Sequence, residues 1–169
     1  GTITIESSTT APASPWIGTA RSKTSDTTRR YIGSYRTNAS SQIQNFQQSG
    51  AGAFVQVAWR VDTGSVTRAL SGGTASSATN ISLANYVPPT CFAAFVRAIN
   101  LGDQPVFTDT SDCTGTNVAA SSGLLALGNG AQAFLFHPLN SSQTMRYAFA
   151  PAPSTGAFYL DVYGYLLER

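Results

Sequence analysis

The sequence predicts an all-β chain folded as a single antiparallel β-sandwich of jelly-roll type, and three observations predict it. Apolar and polar residues alternate with a period of two in several short runs, and no segment keeps a helical period over eleven residues or so. Gly, Pro, Asn and Asp break these runs into about nine or ten short strands, at the spacing of a sandwich or barrel. The composition, with 9 Phe, 7 Tyr and 2 Trp among many Ser and Thr, suits pleated, half-buried surfaces. With 169 residues and 42% hydrophobic content, the chain is long enough for one domain with its own core.

Taken in order, Thr2 to Glu6 alternates Thr and Ile and reads as a short strand. Ser7 to Ser14 is rich in Ser, Thr, Ala and Pro and reads as an extended arm. Residues 1–15 therefore form an N-terminal strand and arm, and 16–169 the sandwich, with Trp16-Ile17-Gly18 as an apolar anchor between them. Arg29 to Arg36 alternates aromatic and small residues as a strand, followed by a polar turn and a second short strand carrying Ile43 and Phe46. Ser41 to Gln48 is the one stretch that could instead form a turn or two of helix. Ala53 to Val61 is a strong strand with Val55, Val57, Trp59 and Val61 on one face. Asp62-Thr63-Gly64-Ser65 reads as a turn, and Val66 to Leu70 as the returning hairpin partner. Ser71 to Thr79 reads as a loop, and Asn80 to Leu83 as a short strand stopped by Pro88-Pro89.

Cys91 to Ile99 is apolar on both faces except at Arg97, as expected of a central strand. Val106 to Thr108 continues after a turn at Leu101 to Pro105, and Asp109 to Gly123 is a polar loop. Ala131 to His137, Gln143 to Phe149 and Phe158 to Leu167 complete the set. In the last of these, strict alternation puts Phe158, Leu160, Val162 and Leu166 on one face. Tyr159, Asp161, Tyr163 and Tyr165 then share the other. That tyrosine face either packs under a loop or a subunit, or forms a platform on which sugars stack.

Charge excludes several functions. Charged residues make up 11% of the chain and net charge is +2, against about 25% charged in ordinary soluble domains. That balance does not predict nucleic-acid binding. No apolar run approaches the roughly 18 residues needed to cross a bilayer, so no membrane insertion is expected. Arg21, Lys23, Arg29, Arg30 and Arg36 nevertheless fall within 16 residues. They read either as a solvated strand edge protected from aggregation or as a site for an anionic partner, such as a lipopolysaccharide phosphate or an acidic glycan.

Catalysis is hard to assemble from these residues. The one histidine, His137, stands at a strand end, and no Gly-x-Ser-x-Gly elbow occurs. A glycosidase needs two juxtaposed carboxyls, but the two glutamates, Glu6 and Glu168, lie near the two ends, and the aspartates sit mostly in turns. Asp109 with Asp112 is the one nearby pair that could act as acid and base or hold Ca²⁺. No phosphate-cradling loop, dinucleotide fingerprint or Cys/His metal pattern is present. The expectation is a non-enzyme with no cofactor and no metal. Cys91 and Cys113 match no zinc spacing, and either close a disulfide loop or remain two thiols.

One segment carries a resemblance. Arg29-Arg30-Tyr31-Ile32-Gly33-Ser34-Tyr35-Arg36-Thr37-Asn38-Ala39-Ser40, followed by Ile43 and Phe46, resembles a pattern recurring in tail-fibre and receptor-binding proteins of tailed bacteriophages and prophages. Leu83 to Thr90 and Leu160 to Tyr165 fit it more loosely. The resemblance implies a distal domain at the fibre tip of the virion, acting outside the cell as a homotrimer. It also implies non-catalytic recognition of a bacterial surface polysaccharide or other host receptor. Assembly in a reducing cytosol would then favour free thiols. The residues expected to meet the ligand are Tyr31, Tyr35 and Arg36, then Tyr163 and Tyr165. Three alternatives stand beside it: a trimerisation module without receptor binding, a monomeric carbohydrate-binding module of a secreted protein, and, weakest, a depolymerase with a site shared between chains.

Overall fold

The computed structural model describes residues 3–14, 21–37, 40–50, 54–59, 67–110 and 123–168. Among them lie twelve strands: β1 (Ser22–Lys23), β2 (Asp26–Arg30), β3 (Phe46–Ser49), β4 (Phe54–Trp59), β5 (Arg68–Gly73), β6 (Thr79–Ser82), β7 (Cys91–Asn100), β8 (Val106–Asp109), β9 (Leu125–Leu127), β10 (Gln132–Pro138), β11 (Thr144–Phe149) and β12 (Phe158–Glu168). All pair antiparallel. One sheet runs β10-β7-β12-β4-β3 with β5 also on β12, a second runs β6-β11-β8-β9, and β1 with β2 forms a small hairpin. The fold is an antiparallel β-sandwich, as the period-two patterning predicts. No helix among the described residues is long and apolar enough to cross a membrane.

The two main sheets bury the apolar faces that the alternation marks out. Val55, Val57 and Trp59 of β4, Val96 and Ala98 of β7, and Phe158, Leu160 and Val162 of β12 meet Ile81, Met145, Tyr147, Phe149, Val106 and Leu127 of the second sheet. Each fully buried aliphatic or phenyl group contributes about 1.5–3 kcal/mol of transfer free energy. The Tyr147 and Phe158 rings, 5.4 Å apart, join the two sheets at the start of β12. β7 lies between β10 and β12, the central position expected from its two apolar faces. Arg146 and Asp109 form a buried two-pronged ion pair between β11 and β8, at 2.8 and 2.7 Å. Both Asp109 oxygens are thereby engaged by Arg146; Asp112, its partner in the pair singled out above, lies outside the described residues.

Several local expectations are corrected. Residues 3–6 form no strand, and Ile3 and Ile5 are 90% and 78% exposed. Their alternation is a local preference with no strand beside it to pair. The strand expected over Arg29–Arg36 begins earlier, at Asp26, and ends at Arg30. Ser41–Gln48 contains no helical turn; Thr37 and Ile43 form a single bridge and Phe46–Ser49 pairs with β4. Residues 67–70 do not fold back on β4, and Val66 lies outside the described residues. Instead β5 runs as far as Gly73, along ground read as loop, and pairs with the first half of β12, in line with β4 on the second half. Thr67 anchors that junction, its carbonyl accepting from Val162 N (2.8 Å) and its hydroxyl donating to Val162 O. β9 is a strand that the polar composition around it concealed. The Trp16 anchor, the turn at 62–65 and Cys113 lie outside the described residues. Cys91 is a free, buried thiol.

The tyrosine face of β12 is corrected as well. Register slips between Val162 and Gly164, so alternation reverses there. Tyr159 and Tyr163 remain on the outer face, whereas Tyr165 turns inward and is fully buried. Gly164 makes the slip possible. A β-carbon at that position would lie 2.0 Å from Val57 O and 2.9 Å from Ala58 Cα, far inside contact distance.

Candidate functional site

The hairpin β1–β2 is organised by Asp26, whose carboxylate accepts from Thr28 N (3.0 Å) and Thr28 Oγ1 (2.6 Å). Those two bonds hold the Asp26 carboxyl below its ordinary range. The N-terminal arm lies along this hairpin. Ala13 N donates to Ser22 O (2.9 Å), Thr24 Oγ1 donates to Ala11 O (2.9 Å), and Lys23 Nζ meets Glu6 Oε1 at 2.7 Å. The Lys23 ammonium depresses the Glu6 carboxyl in turn.

From β2 the chain crosses one end of the sandwich as an extended segment, residues 31–36. Its ends are held by backbone bonds, Tyr31 N donating to Arg21 O (2.9 Å) and Gln44 N to Arg36 O (2.8 Å), and side chains hold the stretch between. The Tyr31 hydroxyl is hydrogen-bonded to Ser34 Oγ (2.6 Å) and Thr90 Oγ1 (3.1 Å), and Tyr165 Oη donates to Ser34 O (2.9 Å). Arg36 donates from Nη1 to Gln44 Oε1 (2.9 Å), and its guanidinium lies 5.1 Å over the Tyr86 ring. Tyr86 is fixed by the turn following β6, where its amide donates to Leu83 O (2.8 Å) and its hydroxyl to Arg68 O (2.7 Å).

These pieces enclose an open cleft of about 890 Å³ between the arm, the hairpin, residues 31–37 and the turn at 84–89. The volume falls within the range of small-molecule sites. Trp59 and Tyr165 stand among its lining residues, their rings 5.5 Å apart. Trp59 is 5% exposed, and its buried indole N–H has no hydrogen-bond partner among the described residues. Burial pushes the Tyr165 phenol well above its ordinary value, so it remains a neutral donor.

Four of the five residues singled out in the sequence line this cleft: Tyr31, Tyr35, Arg36 and Tyr165. Their roles differ. Tyr35 is 47% exposed and presents its ring to solvent, Tyr31 and Arg36 are half-buried, and Tyr165 is fully buried, not a platform. The fifth, Tyr163, lies on the outer face of the six-stranded sheet, beside Phe134 (5.6 Å) and Phe95 (6.2 Å). Sequence reasoning missed Trp59 and Tyr86. Trp59 was assigned to the core, and the one signal for Tyr86 is its place just before Val87-Pro88-Pro89, where the chain must turn.

On that outer face Phe95 also packs on Phe136 (4.9 Å), Arg97 lies 5.7 Å over the Phe134 ring, and Phe54 meets Phe92 at 5.8 Å. Elsewhere, His137 is buried, with Nε2 3.2 Å from Thr108 Oγ1 and Nδ1 2.7 Å from Pro138 O. Desolvation lowers its pKa and holds it neutral. No group of three or more metal-ligating side chains converges among the described residues. The chain matches no family model, no curated protein and no solved structure.

Proposed function

We propose that this chain is a non-catalytic receptor-binding domain of a phage tail fibre that recognises a bacterial surface glycan through the cleft beside Tyr31, Tyr35 and Arg36. One observation carries the reading. The segment whose sequence resembles fibre proteins is the segment that lines the cleft, and it does so with aromatic rings and a guanidinium on a rigid sheet scaffold. Sugar rings stack on aromatic faces while hydroxyls satisfy polar tips, and Tyr35 and Tyr86 offer such faces beside polar groups. The reading is non-catalytic because Glu6 is, among the described residues, the sole carboxylate lining the cleft and is paired with Lys23, whereas glycoside hydrolysis ordinarily takes two. It places the domain on the virion, outside the cell when acting.

The proposal includes a homotrimer, with the outer aromatic face as the contact between copies. Phe54, Phe92, Phe134 and Phe136 are 55%, 37%, 56% and 40% exposed. At 150–250 Å² for a whole aromatic side chain, they offer roughly 400 Å² of ring surface, about half of the ~800 Å² that each partner buries in a standard interface. The same face favours the second reading, an assembly module with no receptor of its own.

Binding of labelled protein to bacterial cells and to their purified polysaccharide distinguishes the two. Under the receptor-binding reading, Tyr31→Ala and Tyr35→Ala lose binding while their circular dichroism stays that of the wild type. Binding retained in both variants removes the cleft as the site, and a trimer that binds no surface at all leaves the assembly module.

A further inference from the structure

We infer that the cleft selects an anionic saccharide, a sugar chain bearing carboxylate or phosphate, over a neutral one; this rests on the cleft being the glycan site. Five ionisable side chains of fixed charge line it: Glu6, Lys23, Arg29, Arg30 and Arg36. Lys23 is neutralised by Glu6 at 2.7 Å, and Arg29 lies 3.7 Å from Asp26. Arg30 and Arg36 have no carboxylate partner among the described residues. The cleft therefore keeps two uncompensated guanidinium groups.

Arg36 is the better built of the two. It is half-buried, steadied against the Tyr86 ring and tied by one N–H to Gln44. A guanidinium has five N–H donors in a rigid fork, so most of that fork remains for a planar or tetrahedral oxyanion, which it grips in a two-pronged way. Partial burial strengthens the contact by lowering the local dielectric.

A neutral sugar brings donors and acceptors in similar number, whereas an oxyanion brings acceptors alone and matches the N–H groups of these two guanidiniums.

Calorimetric titration of the full chain tests this with three probes of equal length: a hexuronic acid tetrasaccharide, a phosphorylated tetrasaccharide and the unsubstituted neutral one. The expected result is at least tenfold tighter binding of an anionic probe than of the neutral probe. That advantage should shrink between 50 and 500 mM NaCl and disappear in Arg30→Gln/Arg36→Gln. Which anionic probe binds tighter identifies carboxylate or phosphate as the source. Arg30→Gln alone, at an exposed position, gives a partial loss even if the double variant misfolds. Neutral and anionic probes bound equally, with both arginine variants unaffected and Tyr35→Ala inactive, overturn the anionic inference and leave the cleft as the glycan site. No probe bound by folded protein overturns both.

Discussion

The cleft and the outer face of the six-stranded sheet are both aromatic, yet they are built in opposite ways. In the cleft three rings are tied to polar groups: Tyr31 to Ser34 and Thr90, Tyr165 to Ser34, Tyr86 to Arg68 and to the Arg36 guanidinium. On the outer face Phe95, Phe134, Phe136 and Tyr163 touch mainly one another. Polar-tipped rings beside cations suit a hydrated, oxygen-rich ligand, whereas bare phenyl rings on a regular sheet suit another protein surface. The content of aromatic residues thus says little about what a surface binds; the atoms that surround them decide it.

The sharpest way to break this contrast is at Gly164, whose register slip sends Tyr163 to one surface and Tyr165 to the other. Gly164→Ala forces its methyl into the Val57 carbonyl and is expected to cost about 3 kcal/mol or more, the upper range of overpacking. Urea denaturation should show it as a lower midpoint. An unchanged midpoint would mean that the slip needs no glycine.

Smaller effects separate the two regions. Phe134→Ser with Phe136→Ser is expected to reduce the solution mass from three chains to one by light scattering, with glycan affinity per site unchanged. Tyr35→Ala should do the reverse, weakening glycan binding about tenfold, as loss of a 1–3 kcal/mol stacking contact would, without altering the mass. If either variant moves both quantities, the regions are not independent.

Burial raises the Cys91 thiol pKa to about 12, so alkylation by iodoacetamide at pH 8 should be slow in the native protein and fast in urea. The smallest effect concerns Glu6. Its folded pKa is depressed below the ordinary 4.5 by Lys23, so the contact is fully present above that value and is lost as pH falls through the depressed one. Protease cleavage of the arm at residues 6–12 should therefore rise only in the acid range below pH 4.5, and Glu6→Gln should remove that dependence.

The sandwich was legible wherever a strand has one buried face. β4 shows it in Val55, Val57 and Trp59, and β7 in an apolar run that fits only a central position. Legibility failed where pairing depends on distant residues. The Thr-Ile alternation near the start has the same local signature as β4 but no neighbour. β5 was read as the return arm of a hairpin because nothing near Val66 reveals that β12 offers a vacant edge beyond β4. Of the candidate site, Tyr31, Tyr35 and Arg36 were legible together because they share one segment. Tyr165 was identified for the wrong reason, since strict alternation ignored the glycine before it; a glycine inside a strand is itself a mark of a bulge or a close backbone approach. Trp59 and Tyr86 reach the cleft from other parts of the chain, and only the closed fold brings them there.

β12 pairs with β7 along one edge and with β5 and then β4 along the other, so the last of the described strands is the spine of the larger sheet. During synthesis the ribosome releases residues 54–100 well before their common partner exists, and until residue 168 emerges those strands expose apolar edges and faces. Contacts of such long sequence separation also make for slow closure. Nonsense mutations within β12 should therefore yield aggregates in place of shortened soluble product.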